Sequence, residues 1–176
     1  MSGLSPTQGS VEPERIVAMQ QRHLVGMGMR MTLANHRPHE LWSAFMPRHR
    51  EIEGRSNELR FDVKYYDGGL DLKTFSPAVE FLKVAAVETE EGVSAPVGMA
   101  NYTLPEGDYA VFLHRGPTRY FPQTMRAIFQ DWLPRSAYRL ADRPHFEILR
   151  PDWDPSDENG EEEIWIPITE QENETR

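Results

Sequence analysis

The sequence predicts an α+β fold in which a strand–strand–helix–strand–strand unit occurs twice. The order of periodic segments repeats on either side of a polar break at residues 90–96. Short passages recur in the same order. Phe45-Met46-Pro47-Arg48 matches Trp132-Leu133-Pro134-Arg135, 87 positions on; Phe61-Asp62 matches Phe146-Glu147, 85 on; Glu80-Phe81 matches Glu163-Ile164, 83 on. Drifting offsets of this kind suit a duplicated unit with insertions and deletions in its loops. Each half is small for an independent core, so the halves are expected to pack as one domain. Their junction would be a cleft near a pseudo-two-fold axis, a common place for small-molecule sites.

The bulk numbers are consistent with this. The chain has 176 residues, 39% hydrophobic and 27% charged, which suits one soluble domain. No apolar run approaches the roughly 20 residues that a membrane span needs. The first residues lack the basic flank and apolar block of a signal peptide. Cysteine is absent, which excludes disulfides and thiolate chemistry and makes a reducing cytoplasm the expected compartment. The net charge of −9 is a C-terminal feature: the last 26 residues hold ten acids against Arg176 alone, while the rest balance. No basic stripe points to nucleic acid.

The elements follow in order. Residues 1–14 read as a loose leader, and residues 15–20 as a short apolar strand. After a turn at Gln21-Arg22-His23 the chain alternates, with Val25, Met27, Met29, Met31 and Leu33 on one face and Gly26, Gly28 and Thr32 on the other. The methionine stripe reads as core, and the glycines admit a close neighbour. Asn35 or His36 caps a helix with Pro38 in its first turn, and Leu41, Trp42, Phe45, Met46 and His49 form its apolar side. Pro47 should kink or end it. Residues 59–66 form a strand with Phe61, Val63 and Tyr65 on one face; a turn at Asp67-Gly68-Gly69 and a strand over 79–88 complete the first half, residues 15–91.

The second half, residues 97–168, repeats the pattern. A strand over 98–104, a hairpin turn at Pro105 to Asp108 and a strand over 109–115 come first. A helix over about 118–133 places Phe121, Met125, Ile128, Phe129 and Trp132 on its apolar side. A strand over 145–150 and a Pro/Asp/Gly-rich loop lead to the last strand, Glu163-Ile164-Trp165-Ile166-Pro167-Ile168. Its isoleucines share one face, and Glu163 and Trp165 share the other. A carboxylate beside an indole wants water, a cation or a proton, because burying an unpaired charge is costly. Glu161 and Glu162 read as solvated loop charges. Residues 169–176 read as a polar acidic tail, able to meet a basic protein partner.

Leu41-Trp42, Phe45-Met46-Pro47-Arg48, Tyr109-Ala110-Val111-Phe112, His114, Gly116-Pro117, Trp132-Leu133-Pro134-Arg135 and the last strand together resemble the GyrI-like small-molecule-binding domains. These are also the effector-binding domains of multidrug-responsive bacterial transcription regulators. The resemblance spans roughly residues 14–168. It implies a largely antiparallel sheet with two helices on one side and an aromatic groove between the halves. It further implies a buried groove acid that pairs with lipophilic cations. Glu163 is the best positional match to that acid, and Glu147 the second.

The ligand site expected on these grounds comprises Glu163, Trp165, Glu147, Tyr65, Trp42 and Phe112. Aromatic faces attract cations by roughly 0.5–2 kcal/mol per ring. A buried carboxylate favours cations over neutral analogues. The expected function is binding of hydrophobic, cationic small molecules by a stand-alone member, since no helix-turn-helix precedes the domain. Two alternatives share the resemblance. One is hydrolysis of strained, cyclopropane-bearing compounds with Glu163 as catalytic acid or base; the other is inhibition of a DNA topoisomerase through a protein contact. No cofactor is expected. His36, His39, Glu40 and His49 lack the spacing of a metal site, and His114 lacks a nucleophile-elbow context.

Overall fold

A computed structural model describes residues 11–172. Nine strands occur among these residues: β1 (Arg15–Met19), β2 (Arg22–Met31), β3 (Arg60–Tyr65), β4 (Phe81–Thr89), β5 (Ala100–Leu104), β6 (Gly107–Arg115), β7 (Tyr138–Leu140), β8 (His145–Leu149) and β9 (Glu161–Glu170). Eight lie in the order β1-β6-β9-β8-β3-β4-β2-β5, all pairs antiparallel, and β7 adds to β9. That order is a palindrome of the repeated unit. Each half keeps its second, fourth and third strands together and lends its first strand to the other half's edge. The α+β duplication expected from sequence is the architecture found.

The register locates the pseudo-axis. In the central β3–β8 pair, Asp62 lies opposite Glu147, with Phe61 opposite Ile148 and Val63 opposite Phe146. These pairings make Phe61 and Phe146 counterparts, as the sequence repeat has it, and put the axis between Asp62 and Glu147. The match of Glu80-Phe81 with Glu163-Ile164 does not survive. Asp62 pairs with Ala85 on β4 and Glu147 with Ile164 on β9, so Ala85 is the counterpart of Ile164.

Both helical segments lie on one face. α1 (Pro38–Phe45) starts at a proline, whose missing N–H falls where no helical bond is due. It gives way to a 3-10 segment, Met46–Glu51, once Pro47 removes a donor. The second segment begins with a 3-10 turn, Thr118–Tyr120, followed by α2 (Phe121–Arg126), a π-helical stretch Ala127–Trp132 and α3 (Leu133–Arg135). The π-helical stretch lies just before Pro134, which cannot donate to the helical ladder.

Alternation along the strands feeds three packed clusters. Val25, Ala85 and Val87 meet Leu41, Phe45 and Ile52 under α1. The methionine stripe lies here, with Met27 and Met29 packed against the cluster. Ala110, Phe112, Ile164, Ile166 and Ile168 meet Ile128, Trp132 and Leu133 under the second segment. The opposite face also carries a packed core: the sheet bends so far that Phe61, Val84, Tyr109, Phe146 and Trp165 pack together. Trp165 stacks on Phe146 at 5.2 Å with 19° between planes, and Tyr109 lies 5.9 Å away. Arg22 of β2 crosses to within 5.4 Å of the Trp165 ring centre. Adding a side chain at Gly28 would meet the Tyr102 hydroxyl, which is the close neighbour that glycine admits.

Ahead of β1, Glu14 N–H donates to the Val111 carbonyl at 2.7 Å, and Arg135 binds Glu12 and the Val11 carbonyl. Residues 1–10 of the expected leader and 173–176 of the expected tail lie outside the described residues. Among the described residues no helix is long and apolar enough to cross a membrane.

Trp165 is 3% exposed and packs against two aromatic rings, Tyr109 and Phe146. Trp165→Ala is expected to cost about 3–5 kcal/mol by leaving a cavity in that cluster, measured as a lower urea midpoint with an unchanged slope.

Candidate functional site

The site is built around the Asp62–Glu147 pair. Both side chains point to the helix side of the sheet, because Phe61, Val63, Phe146 and Ile148 take the other. Like charges placed directly across a strand pair repel. Two lysines on the same face answer them. Lys83 of β4 lies 3.0 Å from Asp62, and Lys64 of β3 lies 3.7 Å from Glu147. The Trp42 indole N–H of α1 donates to the other Asp62 oxygen at 3.0 Å, which fixes the orientation of that ring. A third carboxylate, Glu162, enters from the first turn of β9 on the same face as Ile164, and no protein cation is paired with it among the described ion pairs.

Above these groups the two helical segments part and leave a groove of about 350 Å³. One wall is His36, Pro38, His39 and Trp42; the other is Thr118 and Phe121 with Trp153 and Pro155. The loop carrying Trp153 and Pro155 is tied to this wall by the Thr118 N–H, which donates to the Pro155 carbonyl at 2.8 Å. The floor is Asp62, Lys64, Lys83, Glu147 and Glu162, and the walls are mostly apolar. A charged floor under apolar walls is the arrangement of a ligand pocket with few, placed polar groups.

Burial sets the protonation of the floor. Glu162 is 7% exposed, and burial, followed by the Glu147 and Asp62 charges, pushes it up to about 8 against the pull of Lys64 and Lys83. Burial also raises Glu147, opposed by Lys64. His145, on the same face of β8, is held down to about 3 by burial and by Lys64. His36 at the rim is lowered by burial and by Lys83 and Lys64. The floor therefore holds two acid–lysine contacts, Asp62–Lys83 and Glu147–Lys64, and one acid, Glu162, that keeps its proton near neutral pH.

The structure brings together some of the residues singled out in the sequence and separates others. Glu147 and Trp42 lie in the groove. Phe112 is buried beneath the second helical segment, 4.9 Å from Trp132. Trp165 and Tyr65 face the other side of the sheet, Trp165 in the packed core and Tyr65 donating to the Thr103 carbonyl at 3.0 Å. Glu163 is on that side too, paired with Arg15 at 2.8 Å beside a second hollow of about 400 Å³ whose charged lining includes Arg150 and Glu161. Glu162 is not the solvated loop charge that its turn-rich context suggested. β9 begins two residues earlier than expected, so Glu162 is a buried strand residue. The sequence reading also missed Asp62, Lys64, Lys83, Phe121 and Trp153. The available signal was a charged residue inside an apolar strand, as at Lys83 between Leu82 and Val84.

Fold and groove define a pseudo-symmetric α+β small-molecule-binding domain, with its pocket on the axis between two helices. The chain belongs to the GyrI-like small molecule binding domain family, whose model matches residues 13–169. It is similar to the transcriptional regulator BrlR of Pseudomonas aeruginosa, at 30% identity over 130 residues. That match covers 73% of this chain and 45% of BrlR, so the chain spans less than half the length of this curated relative. Among solved structures it resembles a putative bacterial transcription regulation protein from Staphylococcus aureus MU50, with a TM-score of 0.65 and 16% identity over 88% of this chain and 97% of that one. It also resembles SAV2435 bound to tetraphenylphosphonium, with a TM-score of 0.61 and 19% identity over 88% of this chain and 93% of that one. At these identities the structural likeness is one of fold.

The raised Glu162 sets the sign of a stability profile. Its folded value near 8 exceeds the ordinary 4.5, so the stability it contributes is full below 4.5 and is lost as pH rises through 8. His145 acts in the opposite sense: its contribution is present above 6.5 and is lost as pH falls through about 3. The melting temperature should decline between pH 6 and 9 in the native chain. Glu162→Gln should flatten that limb in a pH series of thermal melts and leave the acid limb in place.

Proposed function

We propose that the groove captures hydrophobic, monovalent cationic small molecules, with Glu162 as the carboxylate that answers the ligand's charge. One observation carries this reading: of three acids on the groove floor, two have a lysine partner and the third, Glu162, has none among the described residues. A bound cation supplies the missing charge. Opposite charges about 4 Å apart attract by about 4 kcal/mol at an effective dielectric near 20, part of which offsets desolvation. Trp42, Phe121 and Trp153 add apolar contact and ring faces, each worth roughly 0.5–2 kcal/mol to a desolvated cation. Trp42 is held in place before any ligand arrives, because Asp62 fixes its indole. Glu147 belongs to the same site, and its charge is already engaged by Lys64. The tetraphenylphosphonium bound by the structurally similar SAV2435 has the chemistry this reading calls for and serves as the probe.

Because Glu162 keeps its proton near pH 7, a cation binds by displacing that proton. Affinity for tetraphenylphosphonium, read from quenching of tryptophan fluorescence, should rise as pH increases toward 8 and level off above it. Glu162→Gln should weaken binding at least tenfold, about 1.4 kcal/mol, and remove the pH dependence. Glu163→Gln, on the other face of the sheet, should leave both unchanged. Equal binding by native and Glu162→Gln proteins at pH 9 would overturn this assignment.

A further inference from the structure

One feature of the floor goes beyond the assignment of Glu162 and rests on the groove being the ligand site. Lys64 extends into the same space as the proposed ligand. Its ammonium lies 3.7 Å from a Glu147 oxygen and 5.9 Å from the centre of the Phe121 ring. A carboxylate on one side and an aromatic face on the other are the two contacts that a captured organic cation makes. Lys64 makes both from within the chain. We infer that Lys64 is a tethered internal cation that occupies half of the groove's cation-binding capacity and competes with ligand for Glu147 and Phe121.

The other lysine does not share this role. Lys83 is 3.0 Å from Asp62, and that acid also accepts the Trp42 indole N–H, so the pair is locked into the groove's framework. The Lys64–Glu147 separation is longer than a close charge-assisted hydrogen bond, which runs to about 2.7–2.9 Å. Lys64 also swings on four flexible methylenes, which can carry the ammonium away from Glu147 without moving the sheet. The cross-strand neighbour of Lys64 on β4 is Lys83 itself, a like charge that favours its departure once a ligand neutralises Glu147.

The consequence is a restriction on ligand charge. With Lys64 seated, one carboxylate is left for a ligand, so monocations gain full compensation. A dication finds its second acid occupied and must displace Lys64 into water. Removing the lysine charge should therefore strengthen capture, the reverse of what loss of an ordinary lining residue does.

The test uses the full chain at pH 9, where Glu162 is ionised, with tetraphenylphosphonium and a bis-quaternary aromatic dication as probes. Lys64→Met keeps the length of the side chain and removes its charge. It should bind tetraphenylphosphonium at least fivefold tighter than the native chain and the dication at least twentyfold tighter. Affinities equal to or weaker than native in a Lys64→Met protein with a native circular-dichroism spectrum overturn the inference and leave the Glu162 reading standing. Absence of binding to either protein overturns both. A second measurement serves if Lys64→Met does not fold. In reductively ¹³C-methylated native protein, which keeps the charge, the Lys64 methyl resonance should be shifted upfield by Phe121 and move to the free-lysine position at saturating tetraphenylphosphonium. An unmoved Lys64 resonance at saturation overturns the inference.

Discussion

The structure turns on two carboxylates that face each other across its axis. When a strand carrying one acid is duplicated and the copies pair antiparallel about a two-fold, the acid meets its own counterpart. Here Asp62 and Glu147 stand opposite one another at the centre of the sheet. Such a pair is unfavourable in itself. It persists because Lys64 and Lys83 lie on the neighbouring positions of the same face, and because the Trp42 N–H takes up one Asp62 oxygen. The groove's polarity follows from this symmetry. The polar centre must lie on the axis, and the helices flank it, since each half supplies one.

Symmetry is broken where the charges are counted. By sheet register the counterpart of Lys83 is Glu162, and that of Lys64 is Leu149. The first half thus brings two lysines to the floor and the second brings none. Glu162 adds an acid where a faithful repeat would place a base. The floor holds three acids against two lysines, the excess on which the proposed capture of a cation rests. The walls diverge as well: α1 offers Trp42, while the second half offers Phe121 and the loop residues Trp153 and Pro155.

Much of the fold was legible because alternation and helical spacing are local and strong. The exchange of edge strands and the side of the sheet holding the groove were not. The pattern around Ile164, Ile166 and Ile168 correctly placed Glu163 and Trp165 together on the opposite face. It could not tell that this face is itself packed, because the burial comes from bending of the sheet, which brings Arg22 of β2 over Trp165 of β9. The groove opens instead on the isoleucine face, beyond the end of the apolar run. Glu162 sits there, at the start of β9 after a turn-forming acidic stretch, and only pairing with β6 makes it strand. β7 was likewise invisible, as three residues carry too little period to stand out.

The charge count also bears on how such a groove is stable. A floor with one uncompensated carboxylate would lose several kcal/mol to desolvation. Raising Glu162 to about 8 removes that penalty below pH 8, because the acid keeps its proton there. The proposed binding of a cation would carry the cost of taking that proton away, about 1.4 kcal/mol for each pH unit below the group's own value. In the proposed reading the proton and the seated Lys64 play the same part: each stands beside an acid of the floor where a ligand's charge would replace it. An apolar floor would be more stable and would not discriminate by charge. A floor of bare carboxylates would discriminate and would not stay folded. The proposed capture of monovalent cations uses the arrangement between these limits, in which the domain carries its own weak substitutes for the ligand.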